Sequence, residues 1–114
     1  DQVQRLLLNL LLNAAEAQDG KGRIRVKAST GDISWRVEIQ DEGPGIPEDL
    51  RERIFQPFHT TKKGGSGLGL AQARQTAATH SGNLWVESPP AGGAIFILEL
   101  PTDPGESFRP SDQE

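Results

Sequence analysis

The chain has 114 residues, enough for one domain around one core, with 34% hydrophobic residues, 25% charged residues and a net charge of −4. No basic run occurs, so a nucleic-acid surface, which needs clustered Lys and Arg, is not expected. The absence of cysteine removes disulfides, thiolate metal sites and cysteine nucleophiles, and the longest apolar run, near residues 6–12, is too short to span a bilayer and is broken by Asn9.

The chain opens at Asp1 directly in a helical pattern, with no signal peptide in view. It reads as a segment of a longer protein whose upstream part can carry a membrane anchor. Residues 2–18 predict a helix, rich in Leu and Ala, free of Gly and Pro, and stopped by Gly20. At about 100° per residue, Gln2, Arg5, Asn9, Asn13 and Glu16 fall within an arc of about 80°. Nearly every other position is Leu, Ala or Val. The helix is therefore expected to be buried on most sides, with one polar stripe facing a solvated cleft or a ligand.

Two strands follow. Residues 23–28 place Ile24, Val26 and Ala28 on one face, and residues 35–40 alternate Trp35, Val37 and Ile39 with polar neighbours. Gly31-Asp32 between them predicts a hairpin turn. Asp41 continues the phase of Trp35, Val37 and Ile39, which aims its carboxylate at the core face. The stretch 42–67 is rich in Gly and Pro, with one short helix predicted over 48–55. An Ala-rich helix over 67–81 ends at Gly82, and strands over 83–88 and 94–100 are joined by a Pro- and Gly-containing turn. Residues 102–114 read as a disordered tail or linker. The sum is an α+β chain, with helices on one face of a mixed, mostly antiparallel sheet.

Three places hold residues suited to chemistry. Asn9 and Asn13, at i and i+4, put two amides on one face. An amide oxygen suits Mg2+, and a hydrogen-bonding or capping role is the ordinary alternative. Asp41-Glu-Gly-Pro-Gly45 combines a core-facing carboxylate, costly without a donor, with glycines that let backbone approach a flat base; an acidic strand end before a turn is the plain alternative. Lys62-Lys-Gly-Gly-Ser-Gly-Leu-Gly-Leu70 runs glycines into a helix N-terminus, where backbone N–H groups and the dipole favour phosphate, unless it is simply a loop with a Gly-rich helix start. It is neither a Walker A, lacking Gly-Lys-Ser/Thr, nor a dinucleotide fingerprint, having Leu70 in place of the last glycine. Phe55-Gln-Pro-Phe58 adds two aromatics about a proline, suited to anchoring a loop or to ordinary packing.

The order of these elements is specific. Asn9-Leu-Leu-Leu-Asn13-Ala-Ala-Glu-Ala17 resembles the N box of sensor histidine kinases, Asp41-Glu-Gly-Pro-Gly45 their G1 box, Phe55-Gln-Pro-Phe58 their F box, and Gly65-Ser-Gly-Leu-Gly-Leu70 their G2 box. Gly92-Gly93 matches a frequent final glycine pair. The resemblance covers roughly residues 1–101 and implies the Bergerat ATP-binding fold, a two-layer α/β sandwich shared with DNA gyrase and MutL, with an ATP lid over about 46–66. Carried over, Asn13 is the Mg2+ ligand and Asn9 lies beside the phosphates. Asp41 holds the adenine amine, with Gly43, Gly45, Ile46 and Phe58 about the base. Gly65, Ser66, Gly67, Leu68 and Gly69 form the phosphate side and lid hinge, and Lys62 or Lys63 reaches the terminal phosphate.

Two departures stand out. The family's sheet usually has a strand before the first helix, for which this chain begins too late, so an exposed sheet edge is expected. His59 replaces an aromatic frequent before Thr-Thr. In the gyrase and MutL branch a Glu that activates water sits one turn before the metal-binding Asn; Asn9 stands there and cannot act as a base. The resemblance therefore implies transfer from Mg-ATP to a histidine on a separate dimerisation domain, with a response regulator downstream. His59 and His80 lack the setting of a phosphoacceptor. A serine-directed kinase or a nucleotide-gated switch on the same fold is the alternative. The fragment is expected to be cytoplasmic and monomeric, with no direct membrane contact.

Overall fold

The computed structural model describes residues 1–57 and 69–102. Helix α1 spans Gln2–Ala17 and starts where Asp1 caps it, its Oδ1 accepting from the backbone N–H of Val3 at 2.8 Å and of Gln4 at 3.2 Å. It ends as the chain turns left-handed at Asp19 and Gly20, and the Gly20 N–H closes on the Ala15 carbonyl at 2.8 Å.

Strands β1 (Arg25–Thr30) and β2 (Ser34–Gln40) form the expected hairpin, closed by the Gly31 N–H donating to Ser34 O at 2.8 Å. Helix α2 (Gly69–Thr79) follows the undescribed stretch, then β3 (Asn83–Glu87) and β4 (Ile95–Pro101) form a second hairpin. The four described strands lie in the order β1-β2-β4-β3 and every pairing is antiparallel.

Register explains the core. Val26, Ile39, Phe96 and Val86 stand in one row across the sheet, and Ala28, Val37, Leu98 and Leu84 in the next. Leu6, Leu10 and Ala14 of α1 and Ala73 and Ala77 of α2 pack on these rows. The alanines let α2 lie close to its neighbours, and Gly82 sets the limit of that approach. A Cβ there would collide with the Glu99 carbonyl. On the opposite face, Ile97 is also buried, flanked in register by Glu38 and Trp85, with the Arg36 guanidinium 5.5 Å from the Trp85 ring centre.

Two expectations are corrected. The helix α1 is not buried on most sides: Leu8 and Leu12 are 53% and 52% exposed, because the sheet and α2 cover only the Leu6–Leu10–Ala14 side. The apolar face of β1 is likewise open, with Val26 58% exposed, since α1 packs on β2 and α2 on β3 and β4. The short helix over 48–55 is instead two 3-10 turns, Glu48–Leu50 and Arg53–Phe55. Their bonds run i+3 to i, Leu50 N to Pro47 O at 2.9 Å and Gln56 N to Arg53 O at 3.0 Å. The tighter winding brings Phe55 into the core, edge-on to Phe96 with ring centres 6.1 Å apart.

Leu10→Ala should cost about 2–5 kcal/mol in denaturant unfolding, whereas Leu12→Ala should stay within about 0.5 kcal/mol. Equal losses at the two positions would contradict a one-sided α1.

Candidate functional site

Asp41 stands where β2 runs out. Its backbone N–H donates to Ala94 O at 2.9 Å, extending the β2–β4 ladder by one residue and keeping the core-facing phase read from the sequence. The side chain is 2% exposed. Oδ1 accepts from the N–H of Gly43 at 2.9 Å and of Ala94 at 3.2 Å. Oδ2 is equally buried and accepts nothing among the described residues. A buried carboxylate oxygen without a donor is rare and costly, so Oδ2 has room for an N–H donor beyond the described residues.

Glycines let backbone crowd around that carboxylate. Gly93 has φ +77°, and a Cβ there would collide with the Asp41 carbonyl oxygen. Gly45 has φ +83°, and its Cβ would lie 2.8 Å from the Gly93 oxygen. The Gly43 position is closed from the other side, where a Cβ would meet the Ala17 carbonyl at 2.8 Å. The end of α1, the 41–45 loop and the β3–β4 turn therefore converge on Asp41. A cleft of about 430 Å³ borders the same strand end on the face away from the helices, between Arg23, Arg25, Gln40 and the Gly92-Gly93 turn.

Two side chains that the sequence reading passed over, Ser88 and Gln18, hold this loop together with Glu42 of the motif itself. Ser88 Oγ accepts from Ile46 N–H at 2.9 Å and donates to Ile46 O at 3.1 Å. Gln18 Oε1 accepts from Glu42 N–H at 2.7 Å, and Glu42 Oε1 in turn accepts from Arg23 N–H at 3.1 Å. These partners are remote from one another in sequence, and no local pattern marks Ser88 or Gln18. Only the abrupt Pro89-Pro90 after Ser88 hints that this strand end has a task.

The polar stripe of α1 runs along one wall. Asn13 is buried, and Asn9 is half-buried with Nδ2 donating to Gly69 O at 3.4 Å, at the first residue of α2. From Asn9 at the α2 end to Ala17 at the Asp41 end is about 12 Å of helix, with Asn13 midway. Asn9, Asn13, Asp41, Gly43, Gly45, Ile46 and Gly69 are thus brought to one side of the molecule. Phe58, His59, Lys62, Lys63, Gly65, Ser66, Gly67 and Leu68 lie outside the described residues. His80 sits just past α2 with Nδ1 2.9 Å from Thr76 O, closing its own helix end. Among the described residues no cluster of three or more His, Cys, Asp or Glu side chains is placed to cage a metal.

Residues 1–104 match the family described as histidine kinase-, DNA gyrase B- and HSP90-like ATPases. The chain belongs to this family. Within it, the similarity is to sensor histidine kinases. The domain is 40% identical to the sensor histidine kinase TmoS of Ectopseudomonas mendocina, over 88% of this chain and 11% of that protein. It is 41% identical to the signal transduction histidine-protein kinase AtoS of Escherichia coli K12, over 90% of this chain and 17% of that protein. The chain therefore spans a small part of these relatives. The catalytic domain of histidine kinase ThkA superposes with a TM-score of 0.80 at 40% identity, covering 88% of this chain and 66% of that one. Full-length ShkA, solved in complex with AMPPNP, superposes with a TM-score of 0.78 at 34% identity, covering 87% of this chain and 21% of that one. The fold is that of a histidine kinase ATP-binding catalytic domain, as the motif order implied.

In this domain, Gly93→Ala should lose about 1–3 kcal/mol by overpacking against Asp41, added to the roughly 1 kcal/mol of left-handed strain. Gly92→Ala, with φ +105° but nothing within 4 Å of its Cβ, should lose only the strain. Chemical denaturation of both variants checks the difference.

Proposed function

We propose that this chain is the ATP-binding catalytic part of a cytoplasmic two-component sensor histidine kinase, transferring the γ-phosphoryl group of ATP to a histidine on a separate dimerisation domain. The observation that carries this reading is the buried Oδ2 of Asp41, which accepts from no donor among the described residues. The exocyclic amine of adenine is an N–H donor of the right kind, whereas guanine presents a carbonyl oxygen at the equivalent position. A carboxylate acceptor there favours ATP over GTP. Gly43 and Gly45 let backbone lie against the base, and Ile46, held at both its N–H and C=O by Ser88, offers an apolar wall with Phe58.

Asn13, Asn9 and the α2 N-terminus at Gly69 would hold the phosphates along the polar side of α1. By the motif resemblance, Gly65, Ser66, Gly67 and Leu68 would complete that side and Lys62 or Lys63 would serve the terminal phosphate; all lie outside the described residues. Asn13 fits a metal carried by the nucleotide, since Mg2+ takes oxygen ligands and is commonly held by few protein groups plus substrate phosphates. Bound Mg2+ supplies charge neutralisation to the phosphates. Phosphoryl transfer needs mainly positioning and charge neutralisation, so the nucleophile can arrive on another domain. The amide of Asn9 orients and donates but cannot deprotonate water, which favours transfer over hydrolysis. A response regulator is the expected next acceptor; ThkA has been solved in complex with the response regulator TrrA. No described helix is long and apolar enough to cross a membrane.

Asp41→Asn turns the open acceptor into a donor while keeping the oxygen that meets Gly43 and Ala94. ATP affinity by calorimetry should fall at least about tenfold, as expected for a lost hydrogen bond to a charged group, with much less effect on unfolding. Unchanged affinity would sink the adenine assignment. For the transfer step, labelled ATP and a histidine-bearing helical hairpin supplied in trans should give an acid-labile, base-stable phosphate. Asn13→Ala should cut that Mg2+-dependent transfer at least about tenfold. An acid-stable product points instead to a hydroxyl acceptor.

A further inference from the structure

Ser88, the first residue past β3, is joined to Ile46 twice through one hydroxyl. Its Oγ accepts from the Ile46 N–H at 2.9 Å and donates to the Ile46 carbonyl at 3.1 Å. A hydroxyl carries one donor and two lone pairs, so it can do both at once. Each of the two residues precedes a proline, Pro47 after Ile46 and Pro89 after Ser88. A following proline biases the backbone toward extended conformations, so little freedom is left to lose when the pair forms. Ile46 is half-buried, and its side chain packs on the core. A Cβ added at Gly45 would lie 3.3 Å from the same Oγ.

The loop from Asp41 to Ile46 is thus tied to both ends of the β3–β4 connection. At one end Asp41 N–H donates to Ala94 O at 2.9 Å, and Ala94 N–H donates to Asp41 Oδ1 at 3.2 Å. At the other end stands Ser88. Between them Gln18 holds the Glu42 N–H at 2.7 Å, and the Gly43 N–H donates to Asp41 Oδ1 at 2.9 Å. Past Gly43 the short hydrogen bonds come from Ser88, since Arg51 Nε reaches the Ile46 carbonyl only at 3.4 Å. That half of the loop includes Gly45 at φ +83°. A glycine has wide backbone freedom, so the path of the loop depends on what holds its far end.

We propose that Ser88 is a positioning residue for the nucleobase: by holding both backbone groups of Ile46, it fixes the glycine-bearing loop, keeps the Gly43 N–H on Asp41 Oδ1, and leaves Oδ2 as the acceptor for the amine of adenine. The inference rests on the nucleotide reading above. It gives Ser88 a task that no motif contains, exerted on a loop 42 residues away in sequence. Ser88 acts through Gly43 and Asp41, with no contact to the base of its own.

The test uses the full chain with Ser88→Ala and, as a control for general destabilisation, Val37→Ala. Val37 packs against the core one row further from the site and takes no part in these bonds. In Ser88→Ala, hydrogen exchange of the Gly43 amide, which is bonded to Asp41 and not to Ser88, should quicken at least about tenfold and by more than that of Phe96 in the core. Adenosine affinity, read by NMR titration, should fall about tenfold, and ATP affinity by the same factor within about twofold, because adenine is common to both. In Val37→Ala, Phe96 should quicken more than Gly43, and adenosine affinity should stay within about twofold of wild type. Gly43 exchange that merely follows Phe96 in Ser88→Ala overturns the coupling of Ser88 to Asp41. Faster Gly43 exchange with adenosine affinity unchanged, or with an equal loss of affinity in Val37→Ala, overturns the positioning role. A wild-type chain that binds neither adenosine nor ATP refutes the nucleotide reading and the positioning role with it, even where the exchange result stands.

Discussion

The buried carboxylate of Asp41, satisfied on one oxygen and without a donor to the other among the described residues, is the constraint on which the candidate site depends. Taking a carboxylate out of water costs several kcal/mol. Two N–H donors to a charged acceptor return about 1.5–3 kcal/mol each. The donors on Oδ1 offset that cost at one oxygen, and Oδ2 can take a further donor. The glycines follow from it. Backbone N–H groups reach Oδ1 only if the Gly43 loop and the β3–β4 turn press against the strand end, and at Gly93 no side chain fits between them.

Much of this was legible in the sequence, for a local reason. Alternation along residues 35–40 sets the phase of β2, and Asp41 inherits it, so the core-facing carboxylate needs no tertiary information. Spacing along α1 likewise put Asn9 and Asn13 on one face. What could not be read was which leucines of α1 find a cover. Leu6, Leu8, Leu10 and Leu12 are the same residue type on different sides of a helix, and only the placement of the sheet and α2 separates buried from exposed. The 48–55 segment failed for a related reason. Its composition suits a helix, but the contact of Glu52 with Arg74 and the insertion of Phe55 beside Phe96 select tighter turns. Tertiary contacts outweighed local propensity, as they do in short segments with few helical bonds to lose.

The same distinction separates the residues that motifs find from those they miss. Asn13, Asp41 and the glycines lie in tight clusters with recognisable spacing. Gln18, Ser88, Glu52 and Arg74 lie outside the clusters and act on partners between 10 and 42 residues away. Each holds a loop or turn that bears a motif residue. Ser88 fixes both backbone groups of Ile46, Gln18 fixes the N–H of Glu42, and Arg74 fixes the ring of Phe55. The proposed chemistry falls to the motif residues, and these others hold the loops and turns that carry them.

Asn9 carries that division into the reaction itself. One helical turn before Asn13, a carboxylate would aim water at the terminal phosphate and turn the site toward hydrolysis. An amide leaves the position polar, and here its nitrogen donates weakly, at 3.4 Å, to the Gly69 carbonyl at the start of α2. A side chain engaged in joining two helices is a poor candidate for proton transfer and a good one for holding the phosphate end of the cleft in shape. With an amide rather than a carboxylate one turn before Asn13, the proposed reaction takes its nucleophile from outside this chain. A histidine on a separate domain satisfies that requirement, because an imidazole nitrogen attacks without first losing a proton to an enzyme base.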